Sequence, residues 1–286
     1  MPEMPEVHAL ASDLSLRLEG RVVTRLDVSA FSALKTFDPP VTAVAGREVQ
    51  DVTHHGKHLD VDLGDLHVVI HLAKAGWIRW HDVLPVPRQG RGALAARLVL
   101  EDGSGLAITE AGTKKSLSIH VVRDPMEIER IATLGPDPLD PSFTRQRFAE
   151  VLSAAGRAQI KGVLRDQARI AGIGNAYSDE ILHAAKMSPF KPAAMSDDEV
   201  ARLFDAMRAV LEDAVRRSDG LAMADLKGEK KSGMRVHGRT GEACPVCGDT
   251  VRQVRFADDS LQYCPTCQTG GKPLADRALS RLGISV

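Results

Sequence analysis

Aromatic residues are scarce in this chain of 286 residues, because phenylalanine, tyrosine and tryptophan together make up only 4% of it. This argues against a platform of aromatic side chains that stacks single-stranded nucleic acid. Long apolar runs are missing too, and none approaches the ~18–20 residues of a membrane span. The first residues, MPEMPEVHAL, lack the basic-then-apolar layout of a signal peptide. We therefore expect a cytoplasmic protein.

Net charge is nearly absent as well, since 37 lysine and arginine residues oppose 38 aspartate and glutamate residues. The balance is −5 over residues 1–140 and +4 over 141–286. The densest basic stretch, 227–239, holds five cations and the single acid Glu229. Such a patch is compatible with a phosphate-rich partner, although a solvated charged face explains it equally well.

The N-terminal part predicts one helix followed by a sheet. A proline in the first turn, apolar residues at the helical period and a following glycine indicate a helix over 5–19. From 21 to about 122, short β-branched runs alternate with turn residues, for example at 64–65 and 102–103. One helix and roughly eight strands predict an antiparallel β-sandwich or flattened barrel as the N-terminal domain, 1–133.

A proline-rich stretch, LGPDPLDPS at 134–142, predicts an interdomain linker. The apolar period beyond it becomes helical, which predicts a helical domain over 143–226. The expected helices are 143–154, 159–166, 175–186 and 196–217.

The four cysteines form two CxxC pairs, Cys244 with Cys247 and, sixteen residues later, Cys264 with Cys267. Two residues between thiolates let a tight turn aim both sulfurs at one ion, and two such turns complete a tetrahedral zinc site. Disulfides are disfavoured by a reducing compartment, and a redox pair by the repetition. We therefore expect one structural Zn²⁺, held by a β-hairpin finger within 227–286 whose folding depends on the ion.

The N-terminus offers a reactive amine, because removal of Met1 would leave Pro2 with a free secondary amine. An α-amino group has a pKa of about 8, so a fraction is uncharged and nucleophilic at neutral pH. Glu3 beside it could act as an acid. Pro2 and Glu3 are thus candidate catalytic residues.

Lys57, in HHGKHLD at the start of a predicted strand, is by default a surface lysine. The histidines around it could suggest a metal cluster. Strand alternation, however, predicts that His54 and His58 share one face while His55 lies on the other, which disfavours a cluster.

Five segments together resemble the formamidopyrimidine-DNA glycosylase/endonuclease VIII family of base-excision repair enzymes. MPEMPEV is similar to the family's amino terminus, HHGKHLDVDL with VVIHL to its strand lysine region, and LGPDPL to its linker. IKGVLRDQARIAGIGNAYSDEILHAAKMSP resembles its helix-two-turns-helix motif, and the four-cysteine finger is in the expected place. The resemblance implies an α+β fold: an N-terminal helix with an antiparallel β-sandwich, a helical domain and a C-terminal zinc finger.

The resemblance also implies an activity, namely removal of oxidised bases from damaged double-stranded DNA followed by strand cleavage. Such enzymes flip the base out of the duplex. Pro2 would attack the sugar and form a Schiff base, Glu3 would protonate the opening sugar, and Lys57 would hold a phosphate and assist. β- and δ-elimination would then cut the strand. A nucleoid-associated monomer without a small-molecule cofactor is expected.

DNA contacts are implied in the helical domain. Asn175 would cap the third helix and, with the backbone N–H groups of Gly172 and Gly174, grip a phosphate, although helix capping alone also explains Asn175. Lys161 matches a further phosphate-side lysine of the family.

Three places depart from the family pattern. Asp259 stands where the family's finger usually carries an arginine, so Asp259→Arg is expected to tighten DNA binding. Lys74 and Lys114 stand at positions where enzymes of the family carry the side chains that fill the gap left by the flipped base. Lys114 is followed by a second lysine, Lys115. The loop between residues 220 and 238 also looks short for one that caps an oxidised purine. Four cations could replace the finger arginine: Arg252, Arg255, Lys272 and Arg277.

Other functions remain open on the sequence. An enzyme that acts mainly on abasic sites or single strands fits the altered gap-filling residues. A non-catalytic binder of damaged DNA would have no reason to keep Pro2, Glu3 and Lys57. A zinc-ribbon protein that binds a protein partner would leave the N-terminus and the GIGN turn unexplained. The preferred lesion, the opposite base and the form of the cleaved ends stay undecided.

Overall fold

The computed structural model describes residues 1–85, 93–256 and 259–275. Within these ranges no helix is both long and apolar enough to cross a membrane. The contacts divide the chain into two units. Each unit joins two segments of the chain, Met1–Leu134 with Ser218–Lys227 and Gly135–Arg217 with Gly228–Val286.

Helix α1, Met4–Leu18, is the helix that the sequence predicts over 5–19. Its first turn is held by the Glu6 carboxylate, which accepts a hydrogen bond from the backbone N–H of Glu3 at 2.8 Å. The apolar stripe is buried, with Leu10 and Leu14 fully inaccessible. This burial on one face explains why the helix lies against a sheet.

Nine strands follow within the described part of the first unit, against roughly eight predicted. They form a five-stranded sheet in the order β2-β1-β7-β8-β6 and a four-stranded sheet in the order β3-β4-β5-β9, and every pairing is antiparallel. A short helix, α2, ends this part. The bounds are β1 Val22–Val28, β2 Arg47–Glu48, β3 Asp51–His55, β4 His58–Asp62, β5 His67–His71, β6 Gly76–His81, β7 Leu94–Leu100, β8 Gly105–Glu110, β9 Ser118–Val122 and α2 Glu129–Ala132.

The turns predicted at 64–65 and 102–103 connect antiparallel neighbours, β4 with β5 and β7 with β8. The inner faces of both sheets and of α1 share one apolar core, in which Ile70, Leu98 and Ile108 are fully buried. The predicted antiparallel β-sandwich with an N-terminal helix is therefore confirmed.

The segment Ser218–Lys227 belongs to the first unit, whereas the sequence predicts residues 218–226 as the end of the helical domain and residue 227 as the start of the finger region. Met223 and Leu226 are 5% and 0% exposed and join the apolar core of that unit. The burial of these two side chains explains why the segment belongs to the first unit. The helical spacing of apolar residues over 143–226 does not reveal which core they join.

The second unit contains the four predicted helices within two or three residues of their expected bounds. One further helix, α7, lies where no helix is predicted, across the basic stretch that contains Lys230. The finger adds two paired strands and a short helix. The bounds are α3 Arg145–Ala155, α4 Ile160–Arg165, α5 Asn175–Ala184, α6 Asp197–Ser218, α7 Leu226–Gly233, β10 Arg252–Arg255, β11 Ser260–Tyr263 and α8 Pro265–Thr269.

Candidate functional site

The N-terminal residues lie at the start of α1. Pro2 is buried, and the Glu3 side chain is only 2% exposed. Glu6, which caps the helix through the Glu3 backbone, is 1% exposed. A carboxylate at a helix N-terminus is stabilised by the helix dipole. The hydrogen bond between the Glu3 backbone and Glu6 thus fixes the backbone that directly follows Pro2.

Lys57 lies at the tip of the β3–β4 hairpin. The turn has two residues, and Gly56 adopts φ 56°, which a first turn position of this kind requires and which glycine adopts without strain. Lys57 is 9% exposed, so it is not the surface lysine that the sequence gives as the default.

Helix α1 packs along this hairpin. His8, in the first half of α1, lies 3.2 Å (Nδ1 to Nε2) from His54, near the hairpin tip. Ser15, further along α1, instead contacts Asp51 at the far end of β3. The N-terminal end of α1 and the Lys57 turn therefore lie on the same side of the first unit.

The histidine arrangement differs from the prediction. His55 pairs with His58 across the hairpin, and His54 pairs with Leu59 on the opposite face, so the expectation that His54 and His58 share a face is wrong. The reason is that residues 56–57 form a turn, so alternation does not continue through them. Even so, within the described residues the only cluster of three or more metal-ligating side chains is that of the four cysteines.

His58, next to Lys57 in the chain, contacts His71 of β5 with the two rings tilted by 32°. The rings of His58 and His71 are 4.6 Å apart between centroids. Burial lowers the pKa of His58 to about 4 and, with the charges of His58 and Lys57, that of His71 to about 3. Both imidazoles are therefore neutral at neutral pH.

Lys74 and Lys114 are both exposed, each in a loop of the first unit. Lys74 follows Ala73, whose φ of 51° is uncommon for a residue with a Cβ and marks a constrained loop. The loop of Lys114 is held by Glu110, whose carboxylate accepts from the backbone N–H groups of Ser116 and Leu117 at 2.6 and 2.9 Å. Both loops thus present lysines from defined backbones.

The GIGN turn between α4 and α5 is shaped by Gln167. Its side chain accepts from Gly172 N–H at 3.0 Å and donates to the Ile173 carbonyl at 2.7 Å. Gly174 is the N-cap of α5, and Asn175 is the first helical residue, so the predicted capping role of Asn175 is wrong. Its side chain turns instead to the finger hairpin.

Lys161 is buried, with 6% exposure. Its ammonium donates to the carbonyl of Asn175, to Oγ of Ser178 and to Oδ1 of Asp179 at 3.1, 2.7 and 2.7 Å. Asp179 is fully buried and also accepts from His237 Nδ1 at 2.8 Å. These contacts indicate that Lys161 joins elements of the second unit, while direct contact with a phosphate stays a prediction.

The finger cations named from the sequence lie on its surface. Arg252, Arg255 and Lys272 are exposed, and Arg277 lies outside the described residues. Asp259 is 28% exposed at the side chain and is paired with Arg165 of α4, a residue that the sequence analysis does not single out. Nothing in the local sequence of Arg165 signals this pairing, because its partner is 94 residues away.

The four cysteines come together as predicted. Their Sγ atoms all lie within 4.8 Å of one another, and all four are free thiols. Zn–S bonds of 2.3 Å place tetrahedral sulfurs about 3.8 Å apart, close to the 3.9 Å between Cys244 and Cys267. The donor set fits one structural Zn²⁺. Burial raises the pKa of Cys264 to about 11, so binding to the metal must offset the cost of deprotonating this thiol.

His183 of α5 contacts this centre and was missed from the sequence. Its Nε2 is 3.3 Å from Sγ of Cys244, and its side chain is 3% exposed. Burial lowers the pKa of His183 to about 4, so the ring is neutral and carries one N–H. Nδ1 is buried with no hydrogen-bond partner among the described residues. With Cys244 bound to zinc as a thiolate, the tautomer with the proton on Nε2 would donate to this sulfur.

We expect His183→Phe to release zinc to a chelator about tenfold faster than the wild type, because an outer-shell donor to a zinc ligand typically contributes 10–100-fold in metal affinity. Release is measured with a chromogenic chelator on the whole protein. His183→Gln keeps an N–H donor and is the matched control, with a rate near the wild type. Equal release from all three proteins would show that the contact does not hold the metal.

Comparison with known proteins matches three family models. They are the formamidopyrimidine-DNA glycosylase N-terminal domain over residues 1–113, the H2TH domain of the same glycosylase over 134–224, and the zinc finger found in FPG and IleRS over 241–270. The first two follow the helix-sheet part and the helical part in turn, and the third contains all four cysteines.

Curated relatives carry the same family name. A formamidopyrimidine-DNA glycosylase of Symbiobacterium thermophilum is 35% identical over 94% of this chain and 89% of its own. A formamidopyrimidine-DNA glycosylase-like protein of Mycobacterium tuberculosis, uncharacterised, is 63% identical over 150 residues, which are 52% of this chain and 93% of that protein.

Solved structures agree in fold and in family. MutM (Fpg) of Thermus thermophilus is 30% identical with a TM-score of 0.80, covering 95% of this chain and all of its own. A MutM in complex with DNA that contains carbocyclic 8-oxo-G is 25% identical with a TM-score of 0.82, covering 94% and 100%. The resemblance predicted from the sequence is confirmed, and the chain belongs to the formamidopyrimidine-DNA glycosylase family.

Proposed function

We propose that this protein is a bifunctional DNA glycosylase and AP lyase of base-excision repair, with Pro2 as its nucleophile. One observation carries the assignment of the site: Pro2 and Glu3 are buried at the capped start of α1, on the side of the first unit where the hairpin tip holds Lys57. An amine, a carboxyl group and a lysine in one region are the groups that this chemistry needs.

The reaction uses them in sequence. After removal of Met1, the Pro2 nitrogen attacks C1′ of the damaged nucleotide, and the bond from C1′ to the base breaks. Glu3 protonates the ring oxygen as the sugar opens, which leaves an iminium between Pro2 and C1′. The iminium acidifies the C2′ proton, which the Glu3 carboxylate left by the previous step accepts. The 3′ phosphate then leaves by β-elimination, and δ-elimination of the 5′ phosphate follows. Lys57 holds a phosphate close to this centre.

The substrate is damaged double-stranded DNA, from which the oxidised base is flipped out. The solved relatives support this, since one binds DNA with carbocyclic 8-oxo-G and a Lactococcus lactis Fpg binds DNA with an oxidised pyrimidine. We propose that the protein acts as a monomer on nucleoid DNA in the cytoplasm. Zinc holds the finger and takes no part in the chemistry, because its four thiolate ligands leave no open position.

A preference for abasic sites is the second candidate, supported by Lys74 and Lys114. Both are exposed cations at the positions expected to fill the gap left by the flipped base. An ammonium does not replace the stacking of a lost base, so an already abasic strand is the less demanding substrate.

Borohydride trapping tests the proposal and separates the two candidates. The purified protein is mixed with duplexes that carry an abasic site, an oxidised purine or an oxidised pyrimidine. Borohydride is then added to reduce the Schiff base to a stable covalent bond. We expect a covalent adduct with the DNA strand of a duplex that carries an oxidised base, and an adduct with the abasic duplex alone would favour the second candidate. No adduct on any duplex, with the zinc content intact, would leave a non-catalytic DNA-binding protein.

A further inference from the structure

Asp259 lies at the finger hairpin between β10 and β11, and its carboxylate accepts hydrogen bonds from the helix-two-turns-helix motif. Oδ2 is 2.5 Å from Nη2 of Arg165, the last residue of α4. Oδ1 is 2.9 Å from Nδ2 of Asn175, the first residue of α5. The backbone N–H of Ser260 adds a third donor at 2.9 Å. A guanidinium, an amide and a backbone N–H are the donor types that bind phosphate in DNA-binding proteins.

The two motif residues are engaged to different extents. The amide of Asn175 donates both to Asp259 and to the Ser260 carbonyl, at 2.9 and 2.7 Å. Arg165 uses Nη2 alone, and within the described residues its guanidinium makes no other hydrogen bond or ion pair, while 39% of its side chain is exposed. Arg165 therefore keeps donors for a ligand even while it is paired.

We propose that Arg165 and Asn175 form a phosphate-binding pair, and that Asp259 is an internal anion that holds this pair until a DNA phosphate displaces it. The inference rests on the proposed function and adds a DNA-binding residue, Arg165, together with the control of its site. Both anions offer oxygen acceptors to the same donors, so the exchange leaves every donor satisfied.

The exposure of the pair makes the exchange feasible. Side chains that are 28% and 39% exposed form an ion pair in contact with water, and such pairs contribute little to stability. The Lys161–Asp179 pair of the same unit is 7% and 0% exposed and is fixed by several hydrogen bonds. Of these two pairs, the Arg165–Asp259 pair can therefore open without leaving a buried charge unpaired, whereas the Lys161–Asp179 pair cannot.

The test measures affinity for a duplex that carries a tetrahydrofuran abasic analogue, over a series of salt concentrations. We expect Asp259→Asn to bind about tenfold more tightly, because the carboxylate no longer competes with phosphate. Arg165→Ala should bind about tenfold more weakly and lower the salt slope by about 0.9, the value of one lost phosphate contact. Asp259→Arg would place a second guanidinium beside Arg165, so the asparagine variant is the cleaner comparison.

Arg169→Ala is the matched control. Arg169 lies four residues after Arg165, in the segment between α4 and α5, is 37% exposed, and pairs through Nε with Asp166 at 3.1 Å. It carries the same charge as Arg165 and does not contact Asp259. Its loss should change affinity by less than about twofold and leave the salt slope unchanged, since no phosphate contact is removed. Zinc content and thermal unfolding of each variant show that the fold is kept, and Asp259→Ser replaces the asparagine variant if that one does not fold.

Two results would overturn the exchange: unchanged or weaker binding by Asp259→Asn, or equal losses for Arg165→Ala and Arg169→Ala. In the same experiment, the wild type is treated with borohydride on an abasic duplex and tested for a covalent adduct. If the wild type forms a covalent adduct and the Asp259 variants bind DNA with the same affinity as the wild type, only the exchange is refuted. A folded wild type that neither binds nor is trapped refutes the proposed function.

Discussion

Pro2→Gly is expected to abolish base excision, with a fall in rate on the order of 10³-fold or more, as for the loss of a covalent nucleophile elsewhere. The secondary amine of proline forms an iminium, which is positively charged without a further proton and is therefore a permanent electron sink. A glycine amine gives an imine that is activated only when protonated. It also lacks the ring that holds the nitrogen in its buried position at the start of α1.

The measurement is single-turnover excision together with borohydride trapping, and mass spectrometry of the wild type confirms that Met1 is removed. Pro5→Ala is the matched control, because Pro5 is a second buried proline, lies three residues after Pro2 in the first turn of α1, and has no free amine. Pro5→Ala should keep excision within a fewfold of the wild type, since only a favoured first-turn residue is lost. An adduct of wild-type yield in Pro2→Gly, mapped to a lysine, would contradict the assignment of the nucleophile.

Cys264→Ser is expected to lose zinc and unfold the finger, with DNA affinity falling about 10–100-fold as the hairpin contacts are lost. The finger buries two small apolar clusters within the described residues. One is formed by Val236, Val251, Cys244 and Cys264 with Cys267 packed against it, and the other by Val254, Leu261 and Tyr263. So few buried residues do not hold a module together without the ion. A serine hydroxyl is a poor replacement for a thiolate, because zinc favours soft sulfur ligands in such sites.

Zinc per chain and duplex affinity are measured on the same preparation. Val246→Ser is the control, since Val246 lies between Cys244 and Cys247, is 54% exposed and offers no ligand. Val246→Ser should keep its zinc and its affinity. Unchanged zinc content and DNA binding in Cys264→Ser would remove the structural-zinc assignment.

Much of the fold follows from patterns that are local in the chain. The buried apolar residues of α1 repeat at the helical period, and the two cysteines of each CxxC pair are only three positions apart. Helix α7 was missed because its sequence, LKGEKKSG, contains two glycines and buries only Leu226. The histidine faces were predicted wrongly because a two-residue turn at 56–57 interrupts what reads as one strand.

The amino-acid sequence alone identifies the four zinc ligands and most of the helices and strands, and it predicts an amine nucleophile at Pro2 and an acid at Glu3, because each of these depends on residues close together in the chain. The tertiary structure decided which side chains meet. Asp259 meets Arg165 across 94 residues, and His183 meets Cys244 across 61. Burial, which a linear pattern shows only for apolar periods, also decided that Lys161 is paired inside the protein. These contacts depend on packing between elements, and a single sequence does not encode them in any local spacing.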